Sequence, residues 1–162
     1  MSTGKILAAD YKHMAMLKFV GDVRVLMSST LDNYCQGLYR RAVLDGVVVD
    51  LSETTGIDST ALGLLAKMAI QLRNRFNVIP TIYSPASDIT RILYSMSFDR
   101  IFNIMEARDQ TEGRYRELRQ QQESESTVHQ KVLDAHLALM TLSEENRLEF
   151  QDLVQTLKQQ GP

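Results

Sequence analysis

The chain is poor in the residue types that commit a protein to chemistry of its own. A single cysteine among 162 residues, Cys35, excludes an internal disulfide, and one thiol cannot build a zinc site. A formal net charge of -2 gives no reason to expect nucleic acid or an anionic membrane as a partner. No apolar run approaches the length of a membrane span. The opening MSTGKILAADYKH lacks the apolar segment of a secretory leader, so the expectation is a cytoplasmic protein. There is no phosphate-binding glycine loop, no dinucleotide fingerprint and no G-x-S-x-G elbow. The three histidines, His13, His129 and His136, fall in a turn and in the C-terminal third. None sits where a serine nucleophile would need its base, so the reading is that the chain is not an enzyme, with no catalytic residue, metal or cofactor.

What is present is enough apolar residue, 44%, for a core, arranged in two periods. KILAAD (5–10) and HMAMLKFV (13–20) read as a β-hairpin that Gly21-Asp22 ends. Ser28-Ser29-Thr30 offers cap chemistry for a helix carrying Leu31, Tyr34, Cys35, Leu38 and Ala42. GVVVDLS (46–52) has the β-branched content of a buried strand. A polar loop follows, then a helix with Leu62, Leu65, Met68, Leu72 and Phe76 on one face and Lys67, Gln71 and Arg75 on a wet one. NVIPTIYS (77–84) is a strand whose Pro80 places it near an edge or at a bulge. Ser87 or Asp88 caps a third helix with Ile89, Ile92, Leu93 and Met96 inward, and RIFNIM (100–105) closes as a strand. Strands alternating with helices imply an α/β sheet with helical crossovers.

Composition changes after residue 106. RDQTEGRYRELRQQQESESTVHQK reads as a linker or a solvated helix. Val128, Val132, Ala135, Leu139 and Leu142 then form one stripe, and Leu148, Phe150, Leu153, Val154 and Leu157 a second. Ser143 caps the second helix, with Glu144 and Glu145 in its first turn. The division is therefore 1–106 for the α/β domain, 107–126 for the linker and 127–162 for a helical extension. Three destinations are open to its apolar stripes: the core, a second partner, or another copy of the chain.

The most informative stretch is GVVVDLSETTGIDSTALGL (46–64). It delivers Asp58-Ser59-Thr60 from the carboxyl end of a strand to the mouth of a helix. Ligand chemistry in open α/β sheets gathers at that end. The first helical turn has unpaired N–H groups and a partial positive charge, which stabilise a capping oxygen or a phosphate alike. On these grounds alone, Asp58 or Ser59 is a helix cap, or Ser59 is also a modification site. Asp50, after the valines, is also where a receiver domain carries its phosphorylated aspartate. Such a domain needs a second acidic cluster and a later lysine, whereas Asp10 stands alone and no lysine follows either later strand. Asp50 then serves to hold backbone N–H groups of the loop.

The pattern D-L-S-x-x-x-x-I-D-S-x-A-L-G-x-L, from Asp50 to Leu65, closely resembles the signature of the STAS domain, the fold of bacterial anti-sigma factor antagonists. The resemblance covers about residues 5–105, including Gly21 and the run SPASDITRILYSMSFDRIFNIM. With its helical tail the chain is similar to HsbA-type antagonists. The resemblance implies a STAS-like sheet of four to five strands with crossover helices. It also implies a partner switch, in which a serine kinase and a phosphatase act on Ser59 and an anti-sigma factor binds only one form. Asp22, Arg24, Glu53, Thr54, Thr55, Gly56, Asp58 and Thr60 would form the partner-binding rim. Arg24 departs from the family's usual acid there, so the partner surface differs at that point. A phosphate adds about -1.5 to -2 charges at one spot. Each ~1.4 kcal/mol it costs at an interface is about tenfold in affinity. The alternative is a STAS scaffold that does not switch, with Ser59 a cap; a second effector would then, or additionally, use the C-terminal helices.

Overall fold

The computed structural model describes residues 4–107 and 114–161. A hairpin of β1 (Lys5–Tyr11) and β2 (Met14–Val23) opens the chain. Lys12 turns it with a positive φ of 56°. A 3-10 turn, Val25–Met27, leads into α1 (Ser28–Tyr39). Then come β3 (Gly46–Ile57), α2 (Ser59–Phe76), β4 (Thr81–Tyr83), α3 (Ser87–Ser95), a 3-10 turn at Phe98–Arg100, β5 (Asn103–Met105) and β6 (Arg116–Glu117). Two helices, α4 (Glu125–Met140) and α5 (Glu144–Gln160), close the described chain. The sheet order is β5-β4-β3-β2-β1-β6. β2 through β5 run parallel, whereas β1 is antiparallel to both of its neighbours. This is the α/β sheet with crossover helices that the alternation of patterns implies and the STAS resemblance leads one to expect, with six strands among the described residues rather than four or five.

Several local expectations are corrected by the structure. Gly21 does not end β2. It takes φ 79°, and the ladder shifts register between Gly21 and Asp22, so the strand kinks and continues to Val23. The ETTG segment is not a loop but the second half of β3, where Thr54 and Thr55 suit extended backbone. Ser28, Ser29 and Thr30 lie inside the first turn of α1, whose N-cap is Met27 with no side-chain bond. The preceding 3-10 turn supplies that start instead, and the run of small polar residues is buried. Neither Ser87 nor Asp88 caps α3, since the N-cap is Ala86, and Asp88 accepts the next N–H, that of Ile89. Pro80 precedes the first paired residue of β4, a strand one place in from the edge. Ser143 does cap α5, accepting the N–H of Asn146.

The segment read as a linker carries β6. Beyond it, Leu118 donates to the Ile6 carbonyl at 2.8 Å, and Gln121 donates to Thr30 Oγ1 at 2.9 Å. This strap runs over β1 and α1 toward α4. The α4–α5 hairpin folds back on the core. Ala135, Leu139, Leu142 and Phe150 join the same buried cluster as Ile6, Leu17, Val49 and Leu65. Leu148 and Leu153 of the second stripe stay exposed. On the face of α2 expected to be wet, Gln71 and Arg75 are exposed and Lys67 is half-buried, while Thr60 through Ala66 at the start of the helix are all buried, where α2 packs on α4 and α1.

Candidate functional site

The site is built by strand length. β4 pairs only with Val48–Asp50 of β3, whereas β2 accompanies β3 to Ile57. The ends of β2 and β3 therefore project as a two-stranded ledge beyond the rest of the parallel sheet. Asp22 lies opposite Gly56 there. A Cβ at Gly56 would stand 2.5 Å from Asp22 Oδ1, so the Asp22 carboxylate lies over this glycine and would swing aside for any larger residue. At the root of the ledge, buried Asp50 accepts the Ser52 N–H at 2.8 Å, the role expected for it.

Asp58 joins three elements. Its Oδ1 accepts the Ala61 N–H at 2.9 Å and caps α2, and its Oδ2 accepts the Val25 N–H at 2.8 Å. Its own N–H bonds the Val23 carbonyl. The cap is thus Asp58, and Ser59 is the first helical residue, with its hydroxyl free of capping duty. One carboxylate fixes the helix start, the end of β2 and the 3-10 turn together. That turn presents Leu26, 69% exposed, and Val25 beside the site. Leu26 also borders a cleft of about 320 Å³ between the turn and the strap at Gln120–Glu123.

The expected rim divides. Glu53 and Thr55 are exposed, and Gly56 and Asp58 are half-buried. Glu53 pairs with Lys18. Arg24 bonds Asp22 through Nε at 2.6 Å, which holds its guanidinium above the usual range and leaves the rest of it outward. Thr54 and Thr60 are buried, and the Thr54 hydroxyl donates to the Phe19 carbonyl at 2.9 Å, at the kink of β2. Asp22, Arg24, Gly56, Asp58 and Ser59 are therefore brought together at one end of the sheet, with Thr54 and Thr60 beneath them.

Sequence reasoning missed the partner of Ser59. Its Oγ lies 2.8 Å from His136 Nε2, contributed by α4. The other ring nitrogen, Nδ1, is 2.7 Å from the Val132 carbonyl, which can only accept. In the neutral ring Nε2 then accepts the Ser59 proton. His136 is buried, with Phe150 edge-on at 5.4 Å. No carboxylate orients the imidazole; a carbonyl of its own helix does. Nearby, buried Asp32 of α1 receives Lys67 of α2 at 3.6 Å and Lys131 of α4 at 3.5 Å. Lys131 also pairs with Glu123 of the strap at 2.8 Å and holds that carboxyl below the ordinary range. The 77-residue separation of Ser59 and His136 explains why periodicity did not connect them. Among the described residues no cluster of three or more His, Cys, Asp or Glu is placed to hold a metal, and no helix is long and apolar enough to cross a membrane.

No protein-family model and no curated protein sequence matches the chain. Solved structures do. The anti-sigma factor antagonist SpoIIAA in its unphosphorylated form superposes with a TM-score of 0.54 at 10% identity, covering 64% of this chain and 89% of that one. An anti-sigma factor antagonist from Mycobacterium paratuberculosis gives 0.54 at 17% identity, covering 65% and 87%. The Bacillus cell fate determinant SpoIIAA in its phosphorylated form gives 0.52 at 8% identity, covering 64% and 92%. These structures are nearly used up by the match, while about a third of this chain lies outside it. The superpositions show that the chain has the STAS-like fold of anti-sigma factor antagonists.

Proposed function

We propose that the protein is an anti-sigma factor antagonist that changes partners according to the phosphorylation of Ser59. The observation that carries this reading is the division of labour at the mouth of α2. Asp58 does the capping, so Ser59 is left as a positioned hydroxyl at the positive end of a long helix, in a fold shared with antagonists. In the forward step a serine kinase supplies a nucleoside triphosphate. Ser59 Oγ forms the new O–P bond to the γ-phosphorus, and the bond from that phosphorus to the bridging oxygen breaks. The nucleoside diphosphate leaves, and the hydroxyl proton passes to a base of the kinase. A phosphatase reverses the change by hydrolysis. The chain is substrate rather than enzyme in both directions. The N–H groups of the first turn of α2 stabilise the added charge.

The unmodified form would bind an anti-sigma factor through the ledge: Asp22, Arg24, Glu53, Thr55, Gly56 and Asp58 as the polar rim, with Leu26 and Val25 as the apolar contact. Thr54 and Thr60 would support that surface from below. A dianion introduced among Asp22, Glu53 and Asp58 repels an acidic partner and must be desolvated by any partner. Exposed Leu148 and Leu153 on α5 offer a place for a second effector. Such a role would put the protein in a bacterial cytoplasm.

Intact mass and phosphosite mapping on protein from its own cells, wild type beside Ser59→Ala, tests the reading. A phosphate on Ser59 that the variant lacks supports it, and partner capture with Ser59→Ala and Ser59→Asp follows. Absence of phosphate with the cognate kinase present returns the protein to a scaffold that does not switch. The bond from Ser59 to His136 favours that second reading to the extent that it hides the hydroxyl.

A further inference from the structure

The hairpin does more at Ser59 than donate one histidine. α4 lies along α2, and at their crossing a Cβ on Gly63 would collide with the carbonyl and Cβ of Ala135. The two helices meet there at backbone contact, with no side chain between them. One turn toward the N-terminus of α2, His136 closes over the Ser59 hydroxyl. On the α1 side, Lys131 reaches buried Asp32. At the far end Asn146 donates to the carbonyls of Met96 and Leu139, and Arg100 donates to the Leu142 carbonyl. Apart from its apolar stripe, the hairpin is held among the described residues by these polar contacts, by the bond from Lys131 to Asn33 and by the strap at 114–124 that leads into α4.

We infer that the α4–α5 hairpin is an autoinhibitory occupant of the face formed by α1 and α2, and that it must leave for Ser59 to be modified or for a partner's helix to dock there. The inference rests on the reading of Ser59 as the phosphoacceptor only for its regulatory consequence; the masking itself does not depend on it. Closure and modification compete. Ser59 is half-buried, and with Oγ held 2.8 Å from His136 Nε2 a phosphoryl group and its three oxygens would have to displace the imidazole or break that bond and turn away from it. The chemistry of α4 also specifies its competitor. That competitor is an amphipathic helix with a small residue against Gly63 and a cation against Asp32, the groups Ala135 and Lys131 now supply.

The test uses the full chain carrying Ser59→Cys, whose thiol reports exposure of the masked position to an aromatic disulfide reagent. Cys35 gives little background, because it is buried and burial pushes its thiol up to about 12. Gly63→Val is the wedge, since the nearest atoms its side chain meets all belong to Ala135 on α4. Lys131→Glu, which sets a carboxylate against Asp32 and Glu123, opens the same contact if the wedge variant does not fold. Either change should raise the labelling rate at position 59 by at least about tenfold while far-UV circular dichroism stays that of the parent. Equal labelling in parent and opened variants overturns the inference, whatever Ser59 does in cells. With Ser59 restored, the opened variants purified from their own cells should carry a larger phosphorylated fraction than wild type. Equal, non-zero phosphate despite an unmasked thiol overturns the gating of modification. No phosphate in any variant, with the thiol unmasked, removes the phosphoacceptor reading and leaves the masking standing.

Discussion

The two covers of α2 are made differently. Toward the core, Leu62, Leu65, Met68 and Leu72 are fully buried, and volume does the work. Toward α4, the contact is a glycine against an alanine backbone and a serine on a histidine, with only Ala135 and Leu139 of that helix in the shared core cluster. Filling a core with large aliphatic side chains is hard to reverse, because each one withdrawn leaves a cavity or meets water. Close approach of small residues with a few polar bonds gains less per residue and is undone by one atom in the wrong place. A helix held on one side by volume and on the other by fit has a permanent face and a releasable one.

The comparison is broken most sharply by Leu65→Ala. It should cost about 2–5 kcal/mol and lower the urea midpoint of the whole chain. Phe150→Ala, at the edge of the cluster on α5, removes comparable volume. It should leave the sheet's midpoint nearly unchanged while amides of α4 and α5 exchange faster. A single shared transition with equal losses for both would make the hairpin part of the permanent core. Asp58→Ala comes next, at about 1–2 kcal/mol, since the cap and the tie to Val25 go together. Asp58→Asn should retain most of it, and thermal unfolding separates the two. His136→Ala is smaller, near 1 kcal/mol, and its signature is local: faster exchange in the first turn of α2 and across α4, with β3 unchanged.

The smallest effect concerns acid. Lys131, and next Asn33, lower the Glu123 carboxyl below its ordinary 4.5. A depressed carboxyl contributes stability that is complete above that value and is lost as pH falls through the lower folded value. Below about pH 4.5 the strap-to-α4 contact should therefore weaken first, seen as rising amide exchange at residues 119–131 before the sheet unfolds. Lys131→Ala should abolish that early step.

The α/β alternation was legible because each element has its own period: valines at 47–49 for β3, Leu62-Leu65-Met68-Leu72 for α2, Ile89-Ile92-Leu93 for α3. The cap of α5 was legible for the same local reason. Errors arose where one residue type serves two ends. Thr54-Thr55-Gly56 looks like a loop by polarity, yet β-branching and pairing with the end of β2 make it strand. Ser28-Ser29-Thr30 looks like a cap, yet a 3-10 turn starts the helix and the hydroxyls go inward. Thr30 shows one use of such an inward hydroxyl: its Oγ1 holds the N–H of Gln121, 91 positions away. At the site, Ser59 and Asp58 were visible, although which of them capped was not. His136, Asp32 and Lys131 were invisible as a group, because nothing in an amphipathic helix states which distant surface its stripe will cover.

The sheet's two margins bear on how copies of this chain behave when crowded together. A parallel sheet left with bare outer strands offers rows of unpaired N–H and C=O groups to any other extended chain. Here one margin is β5, only three residues long, and at the other β6 pairs with Leu7 and Ala8 of β1 before the strap continues across. Growth of the sheet from molecule to molecule has little template at either side. A concentrated solution is thereby steered away from strand-by-strand aggregation, and encounters fall to the helical and ledge surfaces, where side chains can discriminate.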